Sequence, residues 1–190
     1  MKYTIKSEKI VFNDYFKITE AIIEHDLFQG GTQEVKRKCF DRGDSVAILL
    51  YEKESDSLIF TNQFRYPTVQ SDSGWIVEIP AGSVEDNDIK EERAKKELLE
   101  EIGYEINSLE FVSSFYVSPG GSSERIFLYY QEVSSKNKVD EGGGVTSEKE
   151  DIEIVKFSAS EIEKLLLENR IRDAKSIIAL QWFLLFRRNK

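Results

Sequence analysis

The sequence predicts a mixed α/β fold, an α/β/α sandwich in which helices cover both faces of a mixed β-sheet. Its apolar pattern gives several strands, one helix, further strands and then terminal helices, an order that suits a sheet packed on two sides. The 190 residues, 40% of them apolar, are enough for one well-buried core and fewer than two independent domains usually need. We therefore expect an N-terminal β-rich segment over residues 1–40 and one domain over residues 41–190.

The first strands are predicted from alternation and from one apolar run. Residues 9–25 and 33–40 alternate between apolar and polar side chains, and Gly30-Gly31 supplies the turn between them. Val46–Tyr51 is continuously apolar, which is typical of a strand buried on both faces. Leu58–Phe64 predicts the next strand after a polar turn.

One helix is predicted in the middle of the chain. Trp75–Ile79 predicts a strand that enters the segment Gly82–Tyr104, GSVEDNDIKEERAKKELLEEIGY. The second half of this segment is rich in helix formers, and Gly103 suits a left-handed C-terminal cap. Three residues offer N-cap oxygens: Asp86, Asn87 and Asp88.

Later elements follow the same pattern. Strands are expected near residues 109–117, 125–133 and 152–157. A polar stretch, Ser134–Glu150, contains Gly142-Gly143-Gly144 and is expected to be the most mobile segment. Two terminal helices are predicted, one from a capping box of Ser160 with Glu163 to about residue 169, and one over 173–186.

The predicted central helix carries clustered carboxylates. Glu97, Glu100 and Glu101 stand three and four residues apart, so they project within an arc of about 100°, beside an apolar stripe. A divalent cation with oxygen ligands would offset their mutual repulsion. The alternative is a solvated acidic face, on which Arg93 and Lys96 form exposed i,i+4 ion pairs with Glu97 and Glu100.

Composition excludes several function classes. The 26 basic and 35 acidic residues give a net charge of −9, which disfavours nucleic-acid binding. The only histidine and the only cysteine, His25 and Cys39, make a histidine-based triad or a zinc site improbable. The apolar run Ile177–Phe186 is too short to span a membrane. With one cysteine and no leader pattern, we expect a cytoplasmic protein.

The central segment resembles the Nudix box, in which a glycine is followed at fixed intervals by an acid, an Arg-Glu pair, two adjacent glutamates, a second glycine and an apolar residue. Asp88 stands where glutamate is usual, and Lys96 stands where arginine is usual. A lysine cannot reproduce the planar fork of an arginine, so support of the glutamates would be looser. The matching positions are Gly82, Glu97, Leu98, Glu100, Glu101, Gly103 and Tyr104.

Flanking segments resemble one branch of this family, the ADP-ribose and nucleoside diphosphate sugar pyrophosphatases. The likeness runs from about Phe40 onward and more loosely from the N-terminus. The segments that carry it are residues 78–82, 118–121, 123–125, 148–152 and 171–182.

The resemblance implies a Nudix fold and a metal-dependent hydrolase. Glu97 and Glu101 would be the principal metal ligands, the carbonyl of Ala81 would add a third, and Glu150 would add a further one. The metal implied is Mg²⁺, with Mn²⁺ as the alternative. Two candidates for the general base remain open, Glu148 in the late loop and Glu100 in the box.

The resemblance also implies substrate contacts. Arg65 would bind phosphate, because a guanidinium donates two parallel hydrogen bonds. Glu78 and Glu124 would contact the nucleotide or sugar end, or form surface ion pairs instead. Related enzymes are homodimers with exchanged N-terminal strands, and Arg37 and Lys38 are the candidates to complete a partner's site, with a charge-protected strand edge as the alternative.

The function expected is hydrolysis of a nucleoside diphosphate sugar to a nucleoside monophosphate and a sugar phosphate. ADP-ribose and GDP-mannose are both favoured by the resemblance, and the sequence does not separate them. The alternative is a non-catalytic module that senses a nucleotide, although such modules usually lose box glutamates that this chain retains.

Overall fold

A computed structural model describes residues 1–188, and of Glu148 it describes the backbone alone. Contacts divide the chain into two compact units. The first unit contains Met1–Asp44 and Tyr116–Arg125, and the second contains Ser45–Phe115 and the chain from Ile126 onward. Each unit is described separately below.

The first unit is built on a three-stranded antiparallel sheet. Its strands are β1 (Tyr3–Asn13), β2 (Lys17–Asp26) and β3 (Thr32–Asp41), in the order β1-β2-β3. The β structure predicted over residues 9–25 is confirmed, and it forms two strands because the chain turns between β1 and β2, where the Asp14 amide donates to the carbonyl of Phe16 at 3.0 Å. The turn predicted at Gly30-Gly31 is confirmed, since both residues have positive φ angles.

The second unit contains a seven-stranded mixed sheet. Its order is β10-β5-β4-β9-β8, with β6 paired to β5 and β7 paired to β4. The pairing of β4 with β9 is parallel, whereas β5 pairs antiparallel with both β4 and β10. The strands are β4 (Ser45–Glu52), β5 (Ser57–Phe64), β6 (Trp75–Glu78), β7 (Ala81–Ser83), β8 (Glu110–Tyr116), β9 (Arg125–Val133) and β10 (Glu153–Ser158).

Three helices of the described chain pack on this sheet, and the side chains of β4 show how they form two layers. The helices are α1 (Lys90–Ile102), α2 (Ile162–Leu167) and α3 (Ala174–Phe186). Along β4, residues 46, 48 and 50 belong to the core cluster that includes α1, whereas residues 47 and 49 belong to the cluster that includes α2 and α3. Successive side chains of a strand face opposite sides, so one apolar run serves both cores. The predicted α/β/α sandwich with a mixed sheet is confirmed.

The helix ends agree with the sequence predictions only in part. Gly103 has φ +74° and caps α1, and the side chain of Asp173 caps α3 by accepting the Ser176 amide. The predicted side-chain cap at the start of α1 is wrong, because Ile89 is the N-cap and Asp88 instead accepts the Glu85 amide at 2.9 Å. The predicted capping box of α2 is also wrong, since its N-cap residue forms no side-chain cap bond. Within residues 1–188, none of the helices is long and apolar enough to cross a membrane.

A buried polar cluster ties β4 to the segment that follows α1. Glu52 accepts hydrogen bonds of 2.8 Å from the Tyr104 hydroxyl and from the ammonium group of Lys156, and it also accepts one from Ser55. Burial opposes the charge of Glu52, but the hydrogen bonds from Lys156, Ser55 and Tyr104 outweigh it and lower the pKa of the carboxyl to about 2. The charged form of Glu52 therefore stabilises the fold.

We expect Glu52→Gln to reduce the free energy of unfolding by about 2 kcal/mol at neutral pH, because it removes the charge that Lys156 and Tyr104 bind. The pKa of Glu52 is lower in the folded than in the unfolded state, so its stabilisation is complete above about pH 4.5 and declines as the pH falls towards 2. Urea unfolding at pH 7, 4 and 3 should show the gap between native protein and variant closing.

The matched control is Glu105→Gln, which changes an exposed glutamate next to Tyr104. A gap between native protein and Glu52→Gln that is constant from pH 7 to pH 3 would contradict the prediction.

Candidate active site

Helix α1 presents two of the three box glutamates to the interior of the second unit. Ala94, Leu98 and Ile102 are fully buried and anchor the helix, as the predicted apolar stripe requires. Glu97 and Glu101 lie on the neighbouring positions and are only 6% and 2% exposed. The alternative of a solvated acidic face is therefore wrong for Glu97 and Glu101. The two i,i+4 ion pairs that it predicted, with Arg93 and Lys96, do form.

The glutamates are held against the short strand β7. The backbone amide of Ala81 donates to Glu101 Oε2 at 3.1 Å. A Cβ atom on Gly82 would overlap the carboxylate of Glu97, so a glycine is required where this side chain crosses the strand. In turn, Ala81 and Gly82 pair with Ala47 and Val46 of β4. The box glycine thus makes room for the box glutamate.

The electrostatics of this pair favour the binding of a cation. Burial raises the pKa of Glu97 against the opposing charge of Arg93, and Glu100 and Glu150 raise it further. Burial, and then the charge of Glu97, raise the pKa of Glu101 well above its usual range. Two carboxyl groups that resist ionisation together accept a nearby positive charge readily.

The other predicted members of the acidic group surround this pair. Glu100 is more exposed and forms an ion pair of 3.3 Å with Lys96. Glu150 lies close enough for its charge to act on Glu97 and Glu101, and its Oε2 accepts the Val145 amide at 2.9 Å. The backbone of Glu148 ends a short 3₁₀ turn, Thr146–Glu148, and its side chain lies outside the described part of the chain.

A group of two cations and two further carboxylates lies near these glutamates. Glu78, only 3% exposed, accepts a hydrogen bond of 2.7 Å from Arg65 Nε, and its other oxygen pairs with the ammonium group of Lys175. Lys175 also pairs with Asp173 at 3.1 Å. Glu78 is one of the charges that raise the pKa of Glu101, so this charged group lies within electrostatic reach of the box glutamates.

Sequence reasoning missed Lys175 and Asp173 as site residues. The sequence did offer one signal for them, because these two charged residues stand at the start of an otherwise apolar helix. Asp173 was predicted only as the start of that helix, and nothing in the sequence shows that Lys175 reaches Glu78, 97 residues earlier.

Three predicted substrate residues lie in the first unit. Glu124 forms an ion pair of 3.5 Å with Arg42. On β3, Arg37 donates to the carbonyl of Lys36, and Lys38 is exposed.

The chemistry of the donor atoms, although not their spacing in the free protein, fits a hard divalent cation. Glu97 Oε1 is buried and has no hydrogen-bond partner, although the guanidinium of Arg93 lies close to it in an ion pair. Carboxylate oxygens are the ligands that Mg²⁺ and Mn²⁺ prefer. Among the described residues, no three acidic, histidine or cysteine side chains converge closely enough to hold one ion. Glu97, Glu100 and Glu150 are turned towards Arg93, Lys96 and Val145 instead.

This fold and this site define a class of protein. The model of the NUDIX domain matches residues 41–180, most of the chain. The chain therefore belongs to the Nudix family, and the family resemblance carried by Gly82–Tyr104 is confirmed.

Similar proteins show which type of Nudix enzyme the chain resembles. The GDP-mannose pyrophosphatase of Cronobacter sakazakii is 35% identical over 176 residues, which cover 92% of this chain and 91% of that protein. The enzyme of the same name from Pectobacterium atrosepticum is 34% identical over 179 residues, with coverages of 93% and 91%. The chain is thus a hydrolase of pyrophosphate bonds, and the alternative of a non-catalytic sensor is set aside.

A solved structure gives the same fold. The crystal structure described as an ADP compounds hydrolase superposes with a TM-score of 0.75 over 99% of this chain and 97% of that one. At 19% identity this likeness bears on the fold alone.

Proposed function

We propose that the protein hydrolyses the pyrophosphate bond of a nucleoside diphosphate sugar, with Mg²⁺ or Mn²⁺, to a nucleoside monophosphate and a sugar phosphate. The observation that carries the proposal is the buried carboxylate pair of Glu97 and Glu101, next to the cations Arg65 and Lys175. An acidic pair suits a divalent cation, and two adjacent basic groups suit the remaining charge of a diphosphate.

The roles follow from this arrangement. Glu97, Glu101 and Glu150, with the carbonyl of Ala81, would hold the cation, which supplies positive charge at the diphosphate and acidifies water. Arg65 has its Nε engaged by Glu78, so the rest of its guanidinium is oriented for a phosphate oxygen. Glu78 and Glu124 would contact the nucleotide or sugar end.

The hydrolytic step needs one base. A water oxygen bonds to phosphorus, the anhydride P–O bond breaks, the leaving phosphate departs, and the water proton passes to a carboxylate. We assign this carboxylate to Glu148, which shares its loop with Glu150, and Glu100 is the competing candidate.

GDP-mannose is the preferred substrate candidate, because the similar proteins named for it cover more than nine-tenths of the chain. ADP-ribose is the second candidate.

The cytoplasmic location expected from the sequence is also part of this proposal.

A substrate panel tests the function. Purified protein with Mg²⁺ should release a nucleoside monophosphate and a sugar phosphate from GDP-mannose in preference to ADP-ribose and UDP-glucose. Glu97→Gln should lower turnover by about 10²-fold or more, because it removes a ligand charge. Omission of the metal should abolish turnover. Product analysis by chromatography measures all three, and intact substrate in every reaction would refute the proposal.

The base assignment is tested by two isosteric changes. We expect Glu148→Gln to lower kcat by about 10²–10⁴-fold with KM nearly unchanged, because only proton transfer is lost. Glu100→Gln should cost much less. Steady-state kinetics of both variants decide the matter, and the opposite ranking would move the base to Glu100.

We further propose that the active form is a homodimer joined through the first unit. None of the residues of β1, β2 and β3 is buried, and β1 exposes Ile5, Ile10 and Phe12 by about half or more. A three-stranded sheet without a covered apolar face is not stable alone, so a second copy is the natural cover. Arg37 and Lys38 of one copy would then serve the site of the other.

The dimer proposal predicts a KM effect. Replacing Arg37 and Lys38 together by methionine should raise KM about tenfold with the dimer intact, since a phosphate contact is lost. Lys17→Met, an exposed lysine of the same sheet, should leave KM unchanged. Analytical ultracentrifugation reports assembly, and a fully active monomer would contradict the proposal.

A further inference from the structure

The C-terminal end of α1 is closed by a segment from far along the chain. The last four carbonyls of a helix have no partner within it and must find one elsewhere. Glu100 O accepts the Gly144 amide at 3.1 Å, and Glu101 O accepts the Gly143 amide at 2.9 Å. The carbonyl of Ile102 lies 3.5 Å from the ammonium group of Lys138. The run of three glycines is therefore hydrogen-bonded to the helix that carries the box glutamates, not a free loop.

The glycines are required by close approach. All three have left-handed φ angles, +72° at Gly142, +106° at Gly143 and +90° at Gly144. A Cβ atom on Gly142 would lie 2.6 Å from the carbonyl carbon of Ile102, and one on Gly144 would lie 2.6 Å from Cβ of Glu150. On Gly143, the nearest atom would be 3.8 Å away. Only the outer two glycines lack room for a side chain.

The same segment fixes the position of Glu150. The amide of Ile152 donates to the carbonyl of Gly143 at 3.2 Å, which joins the two ends of a short loop. Within that loop, the Val145 amide donates to Glu150 Oε2 at 2.9 Å, and a Cβ atom on Gly144 would lie 3.0 Å from the same oxygen. One short run of backbone thus contacts both the end of α1 and the side chain of Glu150.

We propose that Gly142–Gly144, the glycine clasp, sets the distance between the carboxylate of Glu150 and those of Glu97 and Glu101, with Gly144 as a positioning residue for hydrolysis. The proposal rests on the proposed function for its catalytic consequence. Its structural part, that the clasp is closed in the free protein, stands independently of any substrate or metal.

The structural part is tested by amide hydrogen exchange, followed by NMR on the protein without metal or substrate. The Gly143 and Gly144 amides should exchange at least tenfold more slowly than unprotected amides of the same sequence, because α1 carbonyls accept them. Exchange at the rate of an open loop would overturn the proposal, whatever the enzyme's activity.

The functional part is tested by Gly144→Ala, with Gly143→Ala as the matched control. Both place an alanine at a left-handed φ angle, but only the first places a methyl group against Glu150. We expect Gly144→Ala to lower kcat and Mn²⁺ affinity by about 10–100-fold, with KM for substrate changed less than about threefold. Gly143→Ala carries comparable backbone strain without the clash, so it should lower kcat and Mn²⁺ affinity about fivefold less than Gly144→Ala does. Mn²⁺ binding is measured by electron paramagnetic resonance without substrate.

A second variant guards against misfolding. Lys138→Met removes the side-chain contact with the carbonyl of Ile102 and should accelerate exchange at the Gly143 and Gly144 amides, with a smaller fall in kcat. Equal losses in Gly143→Ala and Gly144→Ala would overturn the positioning role. The two proposals can fail separately. If the native protein cleaves no diphosphate, the proposed function is refuted. The clasp is retained in that case if exchange at the Gly143 and Gly144 amides is slow and Gly144→Ala weakens Mn²⁺ affinity more than Gly143→Ala does.

Discussion

Two glutamates packed out of water against a glycine constrain most of the second unit. Glu97 and Glu101 cannot both ionise comfortably in that position, so the surrounding chain must supply amides, cations or a bound metal. The Ala81 amide donates to Glu101, and Arg93 pairs with Glu97, so each meets part of that demand. The apolar side of α1 supplies the force that keeps the carboxylates buried, since Ala94, Leu98 and Ile102 have no other place to pack.

The charged group around Glu78 suits an enzyme acting on diphosphates, because it holds two cations in fixed positions. Arg65 and Lys175 are held by one buried carboxylate, and Lys175 is shared with Asp173. Two cations and two carboxylates are thereby fixed in place with balanced formal charges, and a site whose donors are already oriented needs little reorganisation when an anionic ligand arrives. The protein as a whole is acidic, so these two cations are a local arrangement.

The sequence predicts the layers of the fold well and the contacts of the site less well. The continuous apolar run Val46–Tyr51 and the apolar stripe on α1 are patterns of nearby residues, which is why the buried strand and the helix were predicted correctly. Lys175 contacts Glu78 across 97 residues, and no local pattern encodes that pairing. The cap of α1 failed for a related reason, since Asp88 serves the preceding turn instead. The run Gly142–Gly144 was predicted to be mobile because the sequence alone does not show that carbonyls at the end of α1 accept hydrogen bonds from its amides.

Strand β4 divides its side chains between the two layers, residue by residue. A change of side-chain volume at Val46, Ile48 or Leu50 disturbs packing against α1, which carries the glutamates. A change at Ala47 or Leu49 disturbs packing against α2 and α3. Adjacent positions of one strand are therefore constrained by different helix layers. An insertion of one residue has the opposite effect, because it would exchange the two sets and damage both cores at once.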